Sequence, residues 1–427
     1  MTSEERKIKI REIRDGKPIA TGTKLKYQGE SREFDVYKIP IEFLAYNVDN
    51  GRISSLVKSY KREHGILDVN KSTDAKHIER FLFTSNEERN KKTIRDLAEN
   101  GQMEPGIVTM DGVIVDGNRR ASLLKKISES TEYDQTTRDK CCFFTARILP
   151  EDADEKEILR LETSYQMGSD SKVDYNPIEK YLHTRDMDLK RFSSEQIAEY
   201  MGLPSPKDVI INLEIMDLID DYLETYGYGG IYTRLPRGCE DDFIKLNIAI
   251  KKINSGKINW IPVDQLDIVE SDLKVICYHF IRLEEKGDFD FRSIASTSNN
   301  NFLNSEENWL RFVNSYYECF DKLDDEEDTQ TVLDQANSDE EAKRLLNQRD
   351  NKWKESVKDK SLEIFNESKG VLENSKVKDQ PEILIKKAYS ALNDVDANLL
   401  GNLSSKENVL SYLDNIFKLA TKIKNSL

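Results

Sequence analysis

The chain has 427 residues, 37% of them hydrophobic and 33% charged, with a net charge of −15. That length suggests two to three domains, and the composition fits a soluble, helix-rich protein rather than a disordered one. The acid excess excludes a simple nucleic-acid coat protein, whose affinity would rest on phosphate neutralisation, and no run of about 18 apolar residues predicts a transmembrane helix.

The N-terminus, Met1-Thr2-Ser3-Glu4-Glu5, is acidic and lacks an apolar stretch, which predicts no secretory signal and a cytoplasmic protein. Five cysteines (Cys141, Cys142, Cys239, Cys277, Cys319) show no C-x-x-C spacing and read as reduced thiols. The four histidines are scattered and give no zinc signature. Residues 1–36 alternate basic and apolar positions (Lys7-Ile8-Lys9-Ile10) and predict short strands. A strand over Tyr37–Ile41 follows, then a polar turn at Asn47–Arg52. Helices are predicted around Ile53–Arg62, Asp74–Phe83 and Asn86–Asn100, the last stopped by Gly101. Ile107–Met110 and Val113–Val115 form a hairpin through Asp111-Gly112. Arg119–Ile127 is a helix, Cys141–Ile148 a strand carrying both neighbouring cysteines, and Glu151–Tyr165 a helix with an acidic first turn. From Asn176-Pro177 onward the pattern is helical. Gly/Pro loops at Tyr226–Gly230 and Leu235–Cys239 interrupt it, as does an acidic linker, Asp324–Asp328, that reads as solvated. The last helix carries Val409, Leu410, Leu413, Ile416, Phe417, Ala420 and Ile423 on one face.

One stretch points to chemistry. In Val113-Ile114-Val115-Asp116-Gly117-Asn118-Arg119-Arg120, a buried strand ends in Asp-Gly and a helix opens on two arginines. Glycine allows a tight turn and a close approach to a ligand. First-turn amides are free to bind an anion, and guanidinium groups suit phosphate oxygens. The competing reading is a hairpin leading into a solvated basic helix start.

The order of elements around this turn resembles the ParB/sulfiredoxin superfamily over roughly residues 34–182. The strand Val36–Ile41, the loop Asn47–Arg52, the helix and turn Thr93–Pro105 and the turn Gly117-Asn118-Arg119-Arg120 stand in the family's order. So do the strand Cys142–Ile148, the helix Asp152–Glu162 and the segment Asn176-Pro177-Ile178-Glu179. The sequence departs at Thr163, where the family has Asn, and at Gln166, where it has Arg. An insertion, Met167–Tyr175, separates the two pieces, and Asn118 replaces the sulfiredoxin cysteine. The resemblance implies CTP or ATP with Mg2+, held by Asn50, Gly51, Arg52, Gly101, Gln102, Pro105, Asp116, Gly117, Asn118, Arg119 and Arg120. Glu162 is the candidate catalytic and metal-binding carboxylate for weak nucleotide hydrolysis, and the departures count against efficient turnover.

Phe192–Leu203 then looks like the first helix of a helix-turn-helix, with a Ser193/Gln196 capping box, a small Ala198 at the crossing and Gly202 at the turn. Its second helix, Lys207–Leu218, would turn Val209, Ile210, Leu213 and Met216 inward. Lys190, Arg191, Lys207 and Asn212 are the candidate DNA contacts, with Asn212 the one suited to base readout.

The expected fold is an α+β ParB/sulfiredoxin-like domain followed by an all-α helix-turn-helix and helical C-terminal regions, mainly helical overall. The expected divisions are 1–36 (strand extension), 37–170 (phosphate-binding domain), 171–235 (helix-turn-helix), 236–321 (helical domain) and 322–427 (acidic linker and helical region). Three functions compete. The first is a nucleotide-gated, ParB-like switch on DNA, paired as a homodimer or with another protein through the C-terminal helices. The second is a metal-dependent nuclease using Glu42, Asp116 and Glu162. The third is a non-catalytic interaction protein whose arginine turn is vestigial or binds a phosphate backbone.

Overall fold

The computed structural model describes residues 1–167, 176–284, 287, 289–295, 301–321, 326–375, 380–396 and 406–426. Most of the expected insertion at Met167–Tyr175 and the start of the Asp324–Asp328 run lie outside them. Helix α1 (Ser3–Arg14) leads into β1 (Ala20–Tyr27) and β2 (Glu30–Pro40). Helices α2 (Ser54–His64), α3 (Ser72–Thr84) and α4 (Glu87–Asn100) precede the short strands β3 (Gly106–Val108) and β4 (Ile114–Asp116). Then come α5 (Asn118–Glu129), α6 (Gln135–Cys141), β5 (Phe143–Ile148) and α7 (Glu155–Gln166). The rest is helical: α8 (Pro177–Leu189), α9 (Ser194–Met201), α10 (Pro206–Thr225), α11 (Glu240–Asn254), α12 (Leu266–Leu283) and α13 (Glu306–Phe320). The last four are α14 (Thr329–Asp334), α15 (Asp339–Ser375), α16 (Pro381–Asn393) and α17 (Lys406–Lys424). The described residues are thus mainly helical, with one small sheet among them near the N-terminus.

The sheet runs in the order β1-β2-β5-β3-β4 and is antiparallel except for the β3–β5 pair. Burial alternates along β5, as a strand between two layers requires. Phe144, Ala146 and Ile148 join Ile39, Val108 and Ile114 under α1, α3 and α5. The opposite layer collects Leu25, Tyr27, Ile107, Val115 and, from α7, Leu161. Gly106 and Gly117 both border the Phe144 ring, and a Cβ on either would come within 2.6 Å of it.

The first segment corrects the strand reading. Lys7–Ile13 lies inside α1, whose start is closed by a Thr2/Glu5 capping box. Arg6, Ile10 and Ile13 stand on the inward face at helical spacing, whereas Ile8 is exposed. The basic–apolar alternation spans too few residues to override a cap and a favourable end-charge pattern. Arg6 is buried and donates to the Asp111 carbonyl and to Asn70 Oδ1, which ties α1 to the β3–β4 turn. Cys141 also moves: it closes α6, and Cys142 is that helix's C-cap, so β5 starts at Phe143, two residues later than expected.

A larger core joins α8, α10, α11, α12, α13 and α15, from Ile178 to Leu372. A smaller one holds Met187, Phe192, Ile197, Ala198, Met201 and Val209 at the α8–α9–α10 junction. The acidic segment before α14 is not simply solvated. Glu326 accepts two bonds from Arg282, whose guanidinium also reaches Asp350 and lies over the Tyr226 and Trp353 rings. Among the described residues no helix is long and apolar enough to cross a membrane.

Candidate anion-binding site

The Gly117 turn is built as its sequence requires. Gly117 has φ +99 and caps α5 without any side-chain acceptor for the first-turn amides. A side chain there would be strained and would strike Phe144. Asn118 is buried and works inward. Its Nδ2 donates to the Ile114 carbonyl (2.8 Å) and its Oδ1 accepts from the Asn47 amide (2.9 Å). The turn thereby holds the 47–52 loop beside it.

A cavity of about 590 Å³ opens between these pieces. Its wall takes Asn50 and Arg52 from the loop, Arg89 and Thr93 from α4, Glu104 and Pro105 from the turn before β3, and Asp116 to Arg120 from β4 and α5. Arg147 of β5 and Tyr165 and Gln166 of α7 complete it. Five arginines therefore face two carboxylates, Asp116 and Glu104. Arg120 is held in place: it donates to Asp116 Oδ2 at 2.7 Å and to the Glu104 carbonyl. Arg147 donates to Thr23 Oγ1 at 2.9 Å. Arg119, half-buried, has no hydrogen bond or ion pair among the described residues. Desolvation, and then repulsion from Arg52, Arg89 and Arg120, push its pKa down to about 10. Asn50 is 1% exposed, and its Nδ2 donates to no described residue. The wall thus presents donors without matching acceptors, the arrangement an oxyanion would satisfy.

Several expected residues lie elsewhere. Gly101 and Gln102 border a separate cavity of about 180 Å³, with Lys38, Cys141 and Phe143. The Gln102 side chain pairs with the Thr145 backbone through two bonds of 2.8 Å. The reason is register: β3 begins opposite Ala146, so the Thr145 peptide lacks a strand partner on that side. Gly51 also works behind the wall. Its amide donates to Glu162 Oε1 at 2.9 Å.

Glu162 does not line the cavity, which corrects its reading as a catalytic or metal-binding group. It is 1% exposed, and Asn47 Nδ2 and Gln166 Nε2, each at 3.0 Å, donate to it along with Gly51. Burial, more than repulsion from Asp49 and Asp116, raises its pKa to about 8. Glu179 plays a parallel role at the start of α2, where it accepts from the Ser55 amide and hydroxyl, and burial raises it to about 7. Thr163 points away from the cavity, to His183 Nε2 at 2.6 Å and the Leu159 carbonyl at 2.7 Å. His183 is held neutral, with burial lowering its pKa to about 4. Glu42, Asp116 and Glu162 do not converge, and among the described residues no three His, Cys, Asp or Glu side chains are placed to hold a metal ion.

The second module is built as its capping pattern predicts. Ser193 and Gln196 form the box, Gly202 has φ +63 at the turn, and Ala198 is buried. Its expected chemistry fails at two points. Asn212 is 5% exposed and donates to Thr184 Oγ1 at 3.2 Å, so it faces α8 and not solvent. Ile210, expected inward, is 51% exposed, because Val209 and Met216 take the buried face. Lys207 is exposed, Lys190 is paired with Glu155, and the Arg191 carbonyl accepts from Lys156. Arg185 is neutralised by Asp217 and Asp220 of α10.

Sequence reading missed Arg89, Thr93, Glu104, Arg147, Tyr165 and Gln166 as wall residues. Arg89 and Thr93 stand four residues apart on one face of α4. Arg147 alternates with Phe144, Ala146 and Ile148, so period two along β5 would have placed it on the opposite face. Against known families, curated proteins and solved structures, the chain gives no match.

Proposed function

We propose that this cavity binds the phosphates of a nucleotide, CTP or ATP, in a domain of the ParB/sulfiredoxin type. One observation carries the reading: Arg119, half-buried among three other guanidinium groups, has no described anionic partner, although its neighbour Arg120 has one. A charge kept in that state is costly unless a ligand compensates it. The glycine turn, the uncapped first turn of α5 and the order of strand, loop, hairpin and helix add support. The cavity also falls within the range of about 300–1,000 Å³ common for small-ligand sites. A compact polyphosphate suits it better than a long strand, because the chain's −15 charge repels extended nucleic acid.

The fuller reading is a nucleotide-gated switch that pairs with a second copy or another protein and acts on DNA. Helices α16 and α17 support pairing, since Tyr389, Leu392, Leu410, Tyr412 and Phe417 are all exposed. DNA contact has weaker support, because Asn212 is inside and Arg185 and Lys190 are paired with acids. The nuclease reading lacks converging carboxylates.

A nucleotide panel scored by thermal shift tests the proposal, with Arg119→Ala beside the wild type. CTP or ATP should raise the wild-type Tm and leave the variant unmoved. No shift with any nucleotide, or equal shifts in both proteins, would sink it.

A further inference from the structure

Building on the nucleotide reading above, we propose that the polyphosphate is bound free of divalent metal, with arginines in the place a magnesium ion would take. Magnesium bound with a nucleotide is usually held by one or two carboxylates together with the phosphates. The structure does not offer them. Asp116 accepts from Arg120 at 2.7 Å and lies in the field of Arg52 and Arg147 as well. Glu162, the position that the resemblance links to a metal, sits behind the loop with both oxygens already accepting from protein donors. Thr163 is turned to His183 and into the core. That leaves Glu104 at the rim, whose carbonyl is engaged by Arg120.

The positive side of the wall is complete without an ion. Five guanidinium groups face the cavity. Arginine does not lose its charge at neutral pH, and its planar fork matches two phosphate oxygens at once. A divalent cation entering this wall would meet like charges at short range in a partly desolvated space. A metal-free triphosphate carries more negative charge than its magnesium complex, so it suits the wall better. The depressed pKa of Arg119, set by desolvation first and then by repulsion from Arg52, Arg89 and Arg120, agrees, because a more anionic ligand offsets more of that cost. Metal-dependent hydrolysis then has no ion to work through, and binding, rather than turnover, is the chemistry of the site.

Calorimetric titration of the full chain decides it, with CTP, ATP and inorganic triphosphate each measured in excess EDTA and in excess magnesium chloride. The expected result is an affinity in EDTA equal to that in magnesium or tighter. A loss of about tenfold or more on chelation, ~1.4 kcal/mol, would overturn the inference while leaving the nucleotide reading intact. No binding of any probe in either buffer would overturn both. Glu104→Gln supplies an independent arm at an exposed side chain. It should bind as tightly as the wild type or more so, since a like charge is removed. A fall in affinity confined to the magnesium buffer would identify Glu104 as a metal ligand and refute the proposal.

Discussion

Arg119 and Arg120 are neighbours in the chain with opposite relations to the rest of the protein. Arg120 completes an internal pair with Asp116, and both side chains are largely buried. Removing it strands a carboxylate whose pKa burial already raises. Arg120→Ala should therefore lower stability by about 1–3 kcal/mol, the cost of an orphaned buried partner. Arg119 makes no such bond, and its loss relieves repulsion from Arg52, Arg89 and Arg120. Arg119→Ala should leave stability equal to or above that of wild type, because the charge it removes is desolvated and repelled in the folded state. Chemical denaturation of the two variants checks this. A large destabilisation by Arg119→Ala would mean that the residue has a structural partner.

Two helices act on the 47–55 segment through carboxyl groups. Glu162 of α7 receives the Asn47 and Gly51 donors, and Glu179 of α8 receives Ser55. Both are raised by burial, from the usual 4.5 to about 8 and about 7. The folded state keeps these protons at pH values where the unfolded chain releases them. Their contribution is fully present below about pH 4.5 and is lost as pH rises through 7 to 8. His183 and His279, lowered to about 4 and about 3 by burial, act in the opposite sense but only below the ordinary histidine pKa of 6.5. The window above that value isolates the carboxyls. The wild-type Tm should fall between about pH 6.5 and 8.5, and Glu162→Gln should flatten the fall. Calorimetric scans across that range measure it, and parallel slopes in the two proteins would refute the assignment.

At the scale of the whole molecule, the core packing of the described residues stops at α15. The last residue in the large helical core is Leu372, near the end of α15. Helices α16 and α17 have no buried residue. Helices of this length draw most of their stability from packing, and these two leave their apolar side chains uncovered. Truncation after Ser375 should therefore leave the unfolding free energy of the remainder within about 0.5 kcal/mol of the full chain. Denaturant titration of both proteins at low concentration tests this. A marked loss would show that the C-terminal helices cover part of the core.

Local signals alone were enough for some of this. The Asp-Gly hairpin, the Gly117 turn, the Ser193/Gln196 cap and most helix spans are legible because caps, turns and periodicity act within a few residues. Eight of the eleven residues expected at the phosphate site do line one cavity: Asn50, Arg52, Pro105, Asp116, Gly117, Asn118, Arg119 and Arg120. Direction was not legible. Nothing local turns Asn212 toward Thr184, carries Gln102 to the unpaired Thr145 peptide or sets Glu162 behind the loop. Those choices depend on partners from 28 to 115 residues away in the chain. The gathering of Arg52, Arg89 and Arg147 around Arg119 has the same origin. Residue order alone dictates that a basic turn follows β4. The folded chain adds charge and polar groups to that turn from five more segments, because only packing sets which side chains from distant segments share one cavity.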